Sequence, residues 1–156
     1  MHSVGWQGRH DAVLGRLSRA IPRAVGDVRV NQTCPRVVSD LQPDLVVINE
    51  DERTVRIVDV AVPFENRSLA LVEAGNHKVN KYASLAEKYR EKGYEVSVDA
   101  FIVGAFGSWD QANEGVLKHL RVSPRYARVL RRLMVSDVIR WSRDIYVTHV
   151  TGHQQW

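Results

Sequence analysis

The sequence predicts an α/β fold: one central mixed sheet, an antiparallel hairpin plus a parallel strand after a crossover helix, flanked by helices. Three observations predict it. Leu45–Asn49 and residues 55–62 are β-branched runs joined by the polar stretch 50–53, the pattern of two antiparallel strands and their turn. After Pro63 the apolar period changes to three or four, through Val72, Gly75, Val79, Tyr82, Ala86 and Tyr89, which describes one long helix ending at Gly93. Residues 94–103 then form a nearly continuous apolar and aromatic run. Following a helix, it is expected to lie parallel to its neighbour, and to be buried on both faces if it lies inside the sheet.

The other elements fall around these. Val13, Leu14, Leu17, Ala20 and Ile21 recur at helical spacing from His10 until Pro22 stops the run, giving a first helix. Residues 28–30 and 37–39 are short β-prone pieces, one of which supplies a first strand. Helices resume at 110–120 and after Ser123, an N-cap with Pro124 at the first helical position and extra C-terminal helix beyond.

The chain has 156 residues, 44% hydrophobic and 26% charged, enough for one domain over 1–156 and against a disordered chain. The longest apolar run, 100–106, is far short of the roughly 20 residues that cross a bilayer, and the N-terminus has no apolar signal core. The expectation is a protein without membrane partners in an intracellular, reducing compartment. The single Cys34 excludes an internal disulfide and a zinc knuckle within the chain.

The net charge of +4 is unevenly spread. Residues 1–36 carry +4 and 121–156 carry +5, whereas 37–65 carry −5 in the most β-like part of the chain. An acidic centre lies between arginine-rich ends. Either these are solvated faces, or a cation site is flanked by surfaces that hold phosphates.

The acidic hairpin sharpens the choice. A turn centred between Asp51 and Glu52 pairs positions whose numbers sum to 103, and Asp44 and Asp59 do so. Their Cβ atoms would then lie about 5 Å apart on one face. Asp59 is set among Ile57, Val58, Val60 and Ala61, where an unpaired carboxylate costs several kcal/mol. Two compensations are open: a divalent cation such as Mg²⁺, held by carboxylates, water and substrate phosphate, or an ion pair with an arginine from a terminal helix.

On the following helix, Leu71, Gly75, Tyr82, Ala86 and Tyr89 share the arc that should face the sheet. Lys78 points into that arc and Lys81 lies at its edge, while Glu73, Asn80 and Lys88 fall outside. Lys78 either meets the hairpin carboxylates or snorkels to water. Two aspartates, a cation and a lysine together suit phosphodiester hydrolysis: the metal activates water, and the lysine stabilises charge on the phosphate oxygens.

The stretch QPDLVVINEDERTVRIVDVAVPFENRSLALVEAGNHKVNKYASL resembles the restriction-like endonuclease domain at the C-terminal end of site-specific non-LTR retrotransposon reverse transcriptases. Those domains are similar to the PD-(D/E)xK nucleases, a superfamily that includes restriction enzymes and Holliday-junction resolvases. The resemblance runs from RHDAVLGRL to FIVGAFGSW, most of the chain. Its specific part is Pro-Asp followed at a distance by Asp in a β-branched run and VPFE.

The resemblance implies a restriction-endonuclease-like core, Asp44 and Asp59 as ligands of Mg²⁺ or Mn²⁺, and double-stranded DNA nicked during retroelement insertion in the nucleus. The superfamily lysine would stand at Ala61. In the retrotransposon branch it has moved to the next helix, which implies Lys78 or Lys81 as the catalytic lysine. Glu65 either assists the metal or caps the next helix. The Cys and His knuckle and the polymerase that accompany such domains are absent, so the chain resembles the tail or a relic of a larger polyprotein whose reverse transcriptase would be its partner.

After Pro124, Arg125, Arg128 and Arg132 point one way, and Tyr126, Val129, Leu130 and Leu133 another. The arginines either track DNA phosphates or form a solvated face. Arg16, Arg19 and Arg23 are a weaker second candidate, and the six histidines show no ligand spacing apart from His149 and His153 at i and i+4, which read as a frayed tail. The chain is thus expected to be a DNA endonuclease, with a nuclease-like domain that grips DNA without cutting as the alternative, and a structural domain whose acids merely pair as a third reading.

Overall fold

The computed structural model describes residues 4–64 and 68–152, the side chains of 68–71 and 74 excepted. Helix α1 (Val4–Ala20) and a single 3-10 turn (Arg23–Val25) lead into β1 (Asp27–Val30). Then come β2 (Leu45–Asn49), β3 (Thr54–Ala61), α2 (Ser68–Lys81), α3 (Ala83–Glu91), β4 (Glu95–Ile102), α4 (Ala112–His119) and α5 (Pro124–Thr151). No described helix is long and apolar enough to cross a membrane. Cys34 is a buried free thiol.

The four strands lie in the order β1-β2-β3-β4, with β1 and β3 antiparallel to β2 and β4 parallel to β3. This is the expected mixed sheet. The hairpin register is also the expected one: Leu45 faces Val58 and Ile48 faces Val55, so the paired numbers sum to 103.

Strand alternation sends Leu45, Val47, Val58 and Val60 to a core shared with α1, α4 and α5, and Val46, Ile48, Val55 and Ile57 to a second core under α3. Two apolar layers hold the hairpin between them, which fixes its register because a one-residue slip would exchange the faces.

Of the two β-prone pieces, the first supplies the first strand, β1, and residues 37–39 form none, as the either-or expectation allows. The helix after Pro63 is two helices, broken at Tyr82, whose N–H bonds Val79 three residues back (3.2 Å) and whose φ and ψ of −105° and 11° leave the helical region. The break turns the phase of α2 relative to α3, so Tyr82, Leu85, Ala86 and Tyr89 are buried while Val72 and Val79 are exposed. Leu71 lies outside the described side chains. Strand β4 lies at the sheet edge, so the condition for burial on both faces is not met, and residues 96–100 are half-buried.

The free side of β4 is met by Asn113, fully buried at the start of α4. Its Oδ1 accepts from the Ile102 N–H (2.9 Å) and its Nδ2 donates to the Ile102 carbonyl (2.8 Å), standing in for a missing strand. Ser123 caps α5 as expected, accepting from the Tyr126 N–H at 3.2 Å.

Helices α1 and α5 pack together, and Gly8 sets how closely. A Cβ built there would sit 2.6 Å from the Trp141 ring. Gly8→Ala should therefore lower stability by about 1 to 3 kcal/mol, although alanine favours helices by up to about 1 kcal/mol. Denaturant unfolding of the two proteins measures this, and a stabilised variant contradicts the packing.

Candidate active site

Asp59 continues the Val55 and Ile57 alternation on β3 and is 2% exposed. Among the described residues, three groups meet its carboxylate. Oδ1 accepts from the Asp44 N–H (2.9 Å) and the Tyr82 hydroxyl (3.2 Å), and Oδ2 faces Lys78 Nζ at 3.0 Å. Asp44, entering β2 behind the buried Pro43, accepts the Val60 N–H on Oδ2 (2.8 Å) and faces His10 Nε2 at 3.0 Å. The two aspartates thus cross-brace the ends of the hairpin, each taking a backbone N–H from the other's strand or its approach.

The lysine comes from the next helix. Ala61, where the superfamily pattern has its lysine, ends β3 as a half-buried methyl group. Lys78 reaches the same end of the strand from α2. Lys81 instead lies over the Tyr82 ring, 5.3 Å from its centroid. Glu65 lies outside the described residues.

The compensation for Asp59 is therefore partly supplied by the protein: a lysine, a phenol and an amide, rather than a terminal-helix arginine. Arg16, which could have served, is held by Asp137 of α5. Among the described residues no group of three His, Cys, Asp or Glu side chains is already arranged around a metal position. The donor chemistry nonetheless fits a hard divalent ion that keeps water and substrate oxygens in its shell: two adjacent carboxylates with an imidazole beside them.

Burial raises the Asp59 pKa, and the Asp44 charge adds to the rise against the pull of the Asp44 N–H and Lys78. Burial also opposes ionisation of Asp44, but His10 and the Val60 N–H outweigh it and hold its pKa below the ordinary value. Charge therefore rests first on Asp44 and a proton first on Asp59. Tyr82, buried beside both carboxylates, is raised well above the ordinary phenol range and stays a donor.

His10 is a site residue that the sequence patterns miss, because its partner is 34 positions away and nothing in α1 marks it. The one signal for it is its place on the face adjoining Val13, Leu14 and Leu17, which turns it toward the sheet. Its Nδ1 also faces Asp11 at 3.2 Å. The hydrogen bond with Asp44 is the main reason its pKa is raised above 6.5.

His10 lines a cleft of about 380 Å³ with Trp6, Gln7, Arg9, Lys78 and residues 60–63. Arg125, Arg128 and Arg132 are exposed on α5 and far in sequence from this cleft's lining, and no ion pair among the described residues engages them. The apolar set assigned opposite them divides: Leu130 is core, whereas Tyr126, Val129 and Leu133 are exposed. The buried face of α5 is instead Ala127, Leu130, Met134 and Val138. Arg19 is exposed and, with Arg23, lines a separate depression beside β1.

The raised His10 pKa has a defined sign for stability. An imidazolium paired with Asp44 stabilises the fold fully below its ordinary value of 6.5, and this contribution is lost as pH rises through the raised value. The stability margin of the native protein over His10→Gln should be widest near about pH 6 and shrink toward about pH 8. Denaturant titrations across that range test this; a margin independent of pH contradicts the pairing.

No family model and no curated protein matches the chain. Solved structures do. One, described in "Structure and function of phenuiviridae cap snatching endonucleases", aligns with 93% of this chain and 66% of its own at 18% identity and a TM-score of 0.51. Another, an N-terminal domain of a reptarenavirus L protein, aligns with 90% of this chain and 78% of its own at 12% identity and a TM-score of 0.42. The chain spans about two thirds of the length of the first of these. The likeness to the first places the mixed sheet and its flanking helices in the fold of an endonuclease domain.

Proposed function

We propose that the chain is a metal-dependent endonuclease that nicks double-stranded DNA by phosphodiester hydrolysis. The observation that carries this reading is Lys78 Nζ at 3.0 Å from the buried Asp59 carboxylate, which Asp44 joins, with Lys78 and His10 themselves lining the adjoining cleft. The endonuclease fold of the phenuivirus neighbour supports it independently.

Asp44 and Asp59 would hold Mg²⁺ or Mn²⁺, with His10 adding a nitrogen that suits Mn²⁺ better than Mg²⁺. Such an ion supplies Lewis-acid charge and lowers the pKa of water. Lys78 stabilises charge that grows on the phosphate oxygens, and it is free to do so once a cation takes over its role at Asp59. Lys81 assists only through its place beside Tyr82. Arg125, Arg128 and Arg132, with Arg19, are the candidate phosphate contacts on the DNA backbone, whereas Arg16 is committed to Asp137. The resemblance to retrotransposon domains supports target nicking for element insertion, in the nucleus, next to a reverse transcriptase.

A second reading is favoured by a specific observation: Asp59 is already neutralised by Lys78, so the domain is complete without a metal. It would then bind DNA and leave it uncut.

Plasmid nicking separates the two. Native protein should nick in Mn²⁺ or Mg²⁺ and not in EDTA, and Asp59→Asn and Lys78→Met should each lose about 100-fold or more in rate while retaining native circular dichroism. No nicking by native protein, with gel shifts that persist in EDTA, would establish the binding module instead.

A further inference from the structure

Beside the cleft lies a second concavity of about 940 Å³, open to solvent and predominantly apolar. Its aromatic lining comes from separate parts of the fold: Trp6 from α1, Phe64 after β3, Phe106 after β4 and Tyr146 from α5. All four rings are exposed, and Phe64 and Phe106 meet edge to face at 5.5 Å.

Arg9 forms the wall between the two concavities and, like Trp6, lines both. It is only 4% exposed, and no carboxylate among the described residues pairs with it. One guanidinium nitrogen donates to Ser142 Oγ at 3.0 Å, and that hydroxyl donates in turn to the Ala105 carbonyl at 2.6 Å. The guanidinium carbon lies 5.1 Å from the Trp6 ring centroid, and Nε has no partner. A buried guanidinium without an anion is costly, and its geometry suits phosphate.

We propose that this groove takes unpaired bases of a nucleic-acid strand, with Arg9 holding a backbone phosphate where the strand passes between groove and cleft. The inference rests on reading the cleft as a phosphodiester site. Bases in a duplex stack on each other and cannot occupy protein rings, whereas an unpaired strand presents them freely. The groove is continuous with the cleft through Trp6 and Arg9, so a strand whose phosphate lies at Lys78 leads directly past Arg9 to the rings. The charge lies where a backbone would run, and the apolar surface where bases would stack.

The test is fluorescence anisotropy in EDTA, where no strand is cut, with labelled single-stranded DNA and RNA of about eight nucleotides against a blunt duplex of the same sequence. A single strand of at least one sugar type should bind more tightly than the duplex. Tyr146→Ala and Phe106→Ala should each weaken that binding about 10-fold and leave duplex binding unchanged. Arg9→Met should reduce the salt dependence by about one ion. Because Arg9 is buried, this variant is checked by circular dichroism, and the two exposed aromatic variants decide the matter if it does not fold. Equal affinity for single strand and duplex, or aromatic variants without effect, overturns the proposal. So does self-association of the native protein that Tyr146→Ala abolishes without altering oligonucleotide affinity, which would assign the groove to a second copy of the chain. Failure of plasmid nicking leaves this result untouched, since binding is read without metal.

Discussion

A carboxylate buried on an interior strand of the sheet is the constraint around which this molecule is arranged. Asp59 sits in the interior strand β3 with 2% of its surface exposed, a position where an uncompensated charge would cost more than most single interactions contribute. Its oxygens are met by a backbone amide from the approach to β2, a phenol at the α2–α3 junction and an ammonium from α2. Each partner comes from a different element. The hairpin register, the break at Tyr82 and the placement of Lys78 are therefore one problem with one solution, since changing any of them removes a partner from the same carboxylate.

That arrangement explains which features are legible in the sequence. Hairpin register follows from the centre of a local turn between the two β-branched runs, so the opposition of Asp44 and Asp59 can be read from the order of residues alone. Lys78 is legible because helical periodicity fixes direction over one or two turns. The break at Tyr82 is not: the 3.6-residue period runs through it with apolar residues on both sides, and the Tyr82 hydroxyl at the interruption meets a partner, Asp59, that lies 23 positions away. The edge position of β4 is hidden in the same way: at Ile102 its free side is met by Asn113, a polar residue that carries no strand signal.

The terminal helices show how charge patterns mislead. Arg16 and Arg125 look alike in a charge count, yet Arg16 is tied to Asp137 across the α1–α5 contact while Arg125 is exposed. His10 escapes detection for the complementary reason, since its meaning depends on Asp44, which only the folding of α1 over the sheet brings to it. Arg9, its neighbour in sequence, faces the opposite difficulty. It is buried without an acid among the described residues, and it lines both the cleft and the groove.

If Asp59 and Lys78 are coupled as their 3.0 Å separation indicates, the coupling can be weighed directly. The measurement is a double-mutant cycle on unfolding free energy with Asp59→Asn, Lys78→Met and both together. A coupling energy of about 1 to 3 kcal/mol is predicted, with Lys78→Met far less damaging once Asp59 is uncharged. Additive effects, within about 0.5 kcal/mol, would contradict the account.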